Sequence, residues 1–382
     1  MKKLIKNGNC VFEDRVEKTD LLIEEGIIVG IGSFDGTDAD IVNANGGYVL
    51  PGFVEIHTHG CGGYDFGDLT EEAFVKAAEC YKRHGATTLL PTTVSCSDED
   101  LERLFFLFRK IKDKTDITLP GLHLEGPYLS MEMKGAQNPA DIRRPDKESV
   151  KRLTDNADII RMITAAPEIE GSDFLAEPLS KRGLVLSVGH SCATAEEVIK
   201  AFEKGYRHVT HMYCATTSNR KIGQTVYSGI VEAAYLLDEM YVELIGDGKH
   251  IPKETMQLAL KIKGADRVNL TTDSMRAAGT DLKESYLGAV SPDNRVIIEE
   301  GVAKLPDRSS YAGSIATTDI MLKNAVLNYD IPLVDAVKML SLTPATIVGV
   351  DDKKGSLTIG KDGDVVITDK EFNILKVLTC KE

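Results

Sequence analysis

The feature that most limits what this chain can fold into is an alternation between residues 50 and 273. Eight β-type apolar runs cover 50–57, 86–91, 117–125, 159–166, 184–190, 207–211, 241–247 and 268–273, and most are followed by a helical pattern. Within 194–205, Thr194 and Glu197 have the spacing of a capping box, and Gly205 stands where a helix C-terminus favours glycine. Residues 98–112 and 252–263 also read as helices, the second with Pro252 near its first turn. Eight such units close into an α/β fold of the (β/α)8 TIM-barrel type. The competing architecture is an open doubly wound sheet, but no Gly-x-Gly-x-x-Gly turn follows a strand.

The flanks read differently. Short β-type runs with tight turns fill residues 1–49 (4–7, 20–23, 27–31 and 41–43), and the pattern returns at 355–359, 364–368 and 373–379. They predict a small β-sandwich domain built from both termini, 1–49 with 346–382, beside a barrel over 50–345. A length of 382 residues suits that pair. The formal charge of -14 argues against a nucleic-acid surface but leaves an anionic substrate open, because a site is governed by local charge. The first residues lack the apolar core of a signal peptide, and no run approaches the roughly 18 apolar residues of a membrane span. The seven cysteines are odd in number, scattered, and never spaced Cys-x-x-Cys. A soluble cytoplasmic protein with reduced thiols is expected, without nucleic-acid or membrane partners.

In a barrel of this type the chemistry lies at the C-terminal ends of the strands. Those ends carry His57-Thr58-His59, His123-Leu124-Glu125, Gly189-His190, Thr210-His211, Asp247-Gly248-Lys249-His250 and Thr272-Asp273. Six of the chain's eight histidines fall there. On a strand, His57 and His59 point to one face. Alone, each histidine reads as a satisfied core residue; together, His57, His59, Glu125, His190, His211 and Asp273 read as one metal centre for zinc or iron. Four imidazoles and two carboxylates suffice for one or two divalent ions, with Glu125 as the bridge, since 159–166 offers no lysine. Asp273 is the candidate general base toward water whose pKa a metal lowers to about 7. His123 shares a face with Glu125 and reads as an outer partner; His84 and His208 read as structural.

These segments, with Lys134-Gly135-Ala136, Tyr311-Ala312-Gly313-Ser314 and the 342–364 stretch, resemble the N-acetylglucosamine-6-phosphate deacetylases of the amidohydrolase superfamily, nearly end to end. The resemblance implies hydrolysis of the acetamide of an amino sugar phosphate, by a homodimer. It implies Glu125, His190 and His211 on the principal ion, and His57, His59 and Asp273 about a second. It implies Asp273 as the catalytic base that later protonates the leaving amine. On the substrate side it implies His250 at the phosphate or hydroxyls, and Tyr311, Ala312 and Gly313 along the sugar. Three departures fall on that side. Gln137, after Ala136, stands where the family usually has histidine; Cys214-Ala215 stands for Asn-Ala; and residues 216–223 are shortened, with Arg220 the match for a phosphate-binding arginine and Lys221 the alternative. N-acetylgalactosamine 6-phosphate, a ring amide or an aminated base therefore remain alternative substrates, and a catalytically silent binding protein the non-enzyme alternative.

Overall fold

The computed structural model describes residues 1–35 and 38–382. Among them, Phe53–Thr58, Ala86–Thr93, Leu122–Glu125, Ile160–Ala165, Val185–Val188, Tyr206–Val209, Tyr241–Ile245 and Val268–Thr271 form one parallel sheet whose neighbours follow chain order. Chain-order adjacency is what right-handed βα crossovers produce. The strands are buried on both faces, as strands covered by helices outside and side chains inside must be. The sheet closes where Thr58 pairs with Ser274. Glu55 ties this seam: Oε1 accepts from Thr271 Oγ1 at 2.5 Å and from the His57 N–H at 3.0 Å, and Oε2 accepts from the Thr272 N–H at 2.9 Å.

The helices begin where their capping residues stand. Thr70 opens Glu71–Arg83, Ser97 opens Asp98–Ile111, and Thr194 makes its reciprocal box with Glu197 ahead of Ala195–Glu203. Lys253–Lys263 follows Pro252 and stops at Gly264. The third barrel strand is shorter than its apolar run, because Pro120 and Gly121 interrupt it and only Thr118 bridges to Thr88 before them. The last four strands stop two residues before His190, His211, Asp247 and Asp273, which therefore stand on the loops.

The run over 50–57 is two strands. Tyr48–Pro51 belongs to a second, seven-stranded sheet, and Gly52 separates it from the barrel strand. That sheet takes Lys2–Val11, Val16–Glu24, Ile27–Gly32 and Asp40–Asn43 from the start of the chain, and Val365–Thr368 and Ile374–Leu378 from its end. Its two sources meet where Tyr48–Pro51 runs antiparallel to Val365–Thr368. Ile5, Leu21, Ile28, Val49, Val365 and Ile367 form its separate core. Gly8 does not end the first strand; the register shifts there instead. Residues 355–359 form no strand. Two additions at the barrel mouth had no counterpart in the sequence reading: a hairpin of Arg220–Ile222 with Thr225–Tyr227, and a meander of Glu284–Tyr286, Arg295–Glu299 and Val302–Lys304. No helix among the described residues is long and apolar enough to cross a membrane.

Candidate active site

The barrel geometry brings all six expected ligands together. Glu125 ends the third strand and is the hub. Its Oε1 lies 2.9 Å from His211 Nε2, 3.1 Å from His190 Nε2 and 3.4 Å from His57 Nε2; its Oε2 lies 3.5 Å from His59 Nε2. Asp273 Oδ1 approaches His59 Nε2 at 3.2 Å and His57 Nε2 at 3.4 Å. The chain turns sharply behind the hub, at Gly126, whose φ is +83° and whose missing Cβ would stand 2.5 Å from Ser95 Oγ. His190, His211 and Asp273 adopt left-handed backbones at φ of +47°, +29° and +44°. Three side chains of one centre thus share a conformation that residues other than glycine seldom take.

The protons on these rings are fixed by what lies behind them. His190 Nδ1 donates to Met133 O at 2.8 Å, His211 Nδ1 to Cys214 O at 3.0 Å, and His57 Nδ1 faces Glu243 Oε1 at 2.8 Å. In its neutral form, the form that ligates a metal, each ring turns an Nε2 lone pair toward carboxylate oxygens that also carry only lone pairs. His190 and His211 Nε2 stand 3.2 Å apart, and His57 Nε2 is buried without a hydrogen-bond partner. Lone pairs converging in this way repel each other unless a cation lies among them, so the donor set fits a divalent ion. Three groupings can hold one: His57, His59 and Glu125; His57, His211 and Asp273; Glu125, His190 and His211. Burial pushes the Glu125 and Asp273 carboxyls up, but the surrounding imidazoles outweigh it and hold both below the usual range. Burial opposes His57 in the other direction, and there Glu243, Asp273 and Glu125 prevail and raise it.

Glu243 was missed from the sequence. It is fully buried, and besides His57 it receives the His211 N–H at 3.0 Å. The imidazole beside it overcomes burial and lowers its carboxyl to about 2. The available signal was a carboxylate inside the otherwise apolar run 241–245. His123 sits under the centre, not in it: Nδ1 meets Ile56 O at 3.0 Å and Nε2 meets Thr164 Oγ1 at 2.8 Å. His208 lies deeper still, between Ser187 Oγ and Asn269 Oδ1.

His59, Glu125, His190, His211 and Asp273, all the expected ligands but His57, form one wall of a cavity of about 310 Å³. Ala136, Gln137, Cys214, Ala215, His250 and Tyr311 line it, as does Gly313, whose missing Cβ would stand 2.7 Å from Asp273 O. The meander delivers two further residues, Leu287 and Ser310. His250 Nδ1 bonds Asp247 Oδ2 at 2.7 Å, which leaves its Nε2 uncommitted, and its ring meets Tyr311 edge-on at 4.9 Å. Ala312 is buried behind this wall, and Arg220 lies outside the cavity, donating from Nη2 to Cys192 O. Gln137 is nearly buried, with Nε2 2.6 Å from Glu125 Oε2.

The sequence profile of the amidohydrolase family matches residues 48–379. The chain is 32% identical over 343 residues to the N-acetylglucosamine-6-phosphate deacetylase of Haemophilus influenzae, an alignment covering 89% of this chain and 87% of that protein. It is 28% identical to the N-acetylgalactosamine-6-phosphate deacetylase of a Shewanella species, covering 100% and 94%. Among solved structures, the N-acetylglucosamine-6-phosphate deacetylase of Pasteurella multocida superposes with a TM-score of 0.93 at 28% identity, covering 100% of this chain and 98% of that one. That of Thermotoga maritima gives 0.86 at 32%, covering 99% and 98%.

Proposed function

The chain belongs to the amidohydrolase family, and on that premise we propose that it is a metal-dependent deacetylase of N-acetylglucosamine 6-phosphate. Glu125, His190 and His211 would hold the principal ion, and His57, His59 and Asp273 would face a second. When bound, zinc or iron polarises an amide carbonyl and makes hydroxide available near neutral pH. The observation that carries this reading is the convergence of four imidazole Nε2 atoms and two carboxylates beside a sugar-sized cavity.

The residues of the chain divide the work. Asp273 keeps its charge despite burial and stands at the mouth of the eighth strand. Its carboxylate takes the proton as water adds to the acetyl carbon. It returns that proton to the nitrogen as the C–N bond breaks, giving acetate and the free amine. His250, held by Asp247, presents Nε2 to the hydroxyls or phosphate of the sugar, with Tyr311 and Gly313 beside it. Ala215 and Cys214 complete the side nearest the sixth strand. Arg220, whose fork suits a phosphate, lies outside the cavity with Nη2 on Cys192 O, and would reach a phosphate only by leaving that contact.

A sugar phosphate is too polar to cross a bilayer unaided, so the cytoplasm is the compartment proposed. A homodimer is proposed as well. The hairpin exposes Ile222, Val226 and Tyr227 together, an apolar surface that a second copy would cover. Sedimentation at twice the 41.7 kDa chain mass checks it, and a monomer at micromolar concentration rejects it.

The galactosamine epimer is the second substrate reading, because Gln137, Cys214 and 216–223 all change on the substrate side and relatives of both kinds match. Acetate release from the two N-acetylated sugar phosphates, with zinc or iron added, tests both. Turnover of the glucosamine compound is expected. Turnover of only a ring amide or an aminated base would keep the family and reject the substrate.

A further inference from the structure

Gln137 has both ends of its side-chain amide committed. Oε1 lies 2.7 Å from the Ser95 backbone nitrogen, and Nε2 lies 2.6 Å from Glu125 Oε2. The two ends cannot be exchanged. A backbone N–H only donates, so the amide oxygen must face Ser95 and the NH2 must face the carboxylate. Glu125 is buried, so this donor is not in competition with solvent.

The contact makes the two oxygens of Glu125 unequal. Oε1 faces three imidazole lone pairs, those of His211, His190 and His57. Oε2 accepts a short hydrogen bond and has only His59 near it, at 3.5 Å. In the two-oxygen bridge each carboxylate oxygen gives electron density to one ion, and a donated hydrogen bond draws density from Oε2 and so weakens that arm of the bridge.

We infer that Gln137 is a positioning residue that makes Glu125 a one-oxygen ligand, so that one ion is held tightly through Oε1, His190 and His211 while the His57–His59–Asp273 side binds a second weakly. The inference rests on the metal centre of the proposed function. It departs from a bridging Glu125, the arrangement that the sequence alone suggests.

The test uses zinc-stripped wild type, Gln137→Met and Gln137→Leu, each titrated with zinc against a chromogenic chelator to read the number of ions and the affinity of each. Wild type is expected to hold one ion tightly and a second at least about tenfold more weakly. In both variants the donor is gone, and the second ion is expected to tighten by about tenfold or more. Adding His59→Asn to either variant should remove the gained ion. The leucine variant carries the test if thermal melting shows that the methionine variant does not fold. Two equally tight ions in wild type, or a folded variant that keeps the wild-type pattern, overturns the role of Gln137. Wild type that binds no zinc overturns the metal centre and this inference with it; acetate release, read in parallel, separates the two failures.

Discussion

At the scale of single residues, the roles divide between groups that meet the substrate and groups that aim them. Asp273→Asn keeps the size and a ligating oxygen but cannot take a proton. It is expected to lower kcat by at least about 100-fold while metal content, read by elemental analysis, stays near wild type. Glu243→Gln tests the opposite kind of residue. It leaves every ligand in place but removes the carboxylate behind His57 Nδ1. Metal affinity is expected to fall by about 10–100-fold, measured by chelator competition. The sequence showed the first class and hid the second for a physical reason. His57, His59, Glu125, His190, His211 and Asp273 sit at strand ends, where barrel geometry gathers them, so position along the chain reveals them. Glu243 and Gln137 act through hydrogen bonds to residues 186 and 12 positions away, and no local pattern encodes such a partner.

At the scale of elements, the alternation of strand and helix was legible because burial on both faces writes long apolar runs. The strand ends were less so. Composition stays β-like up to His190 and His211, yet the backbone there turns left-handed, and nothing in a histidine announces that. The hairpin and the meander were hidden because their strands are only three to five residues long, too short for an alternation to show. Contacts between elements carry their own prediction. His84 closes the first barrel helix, Glu71–Arg83, against Thr318–Lys323 through Nδ1 and Asp319 Oδ1 at 3.0 Å. Burial lowers the pKa of this imidazole, but Asp319 and Cys80 prevail and raise it from 6.5 to about 9. A raised folded-state pKa means that the contact stabilises fully below pH 6.5 and fades as pH climbs through 9. The stability deficit of His84→Gln, from urea unfolding, should be largest below pH 6.5 and shrink toward pH 9. A deficit that grows with pH would show that the ring is neutral in the fold.

At the scale of the whole molecule, the two ends of the chain are joined by one sheet, and one cation holds the return into it. Lys354 Nζ is buried between Asp362 and Asp364, each at 2.7 Å, at the return into the terminal sheet. Lys354→Met would leave two carboxylates without their counter-ion and is expected to cost about 3–5 kcal/mol in urea unfolding. That both ends build one β-unit was readable from matching turn-and-strand composition. The pairing of Tyr48–Pro51 with Val365–Thr368 was not, because register between segments so far apart along the chain is set by packing and leaves no periodic mark. The left-handed turns at the catalytic rim bear on how this enzyme would respond to selection for heat resistance. Two of them, His190 and His211, hold a bulky ring where asparagine or glycine would sit at ease, so the ion-free fold is working against its own rim. His190→Asn is accordingly expected to melt at a higher temperature than wild type when both are stripped of metal, and to hydrolyse nothing. A library ranked by thermal tolerance alone would therefore discard the very positions on which the proposed turnover depends.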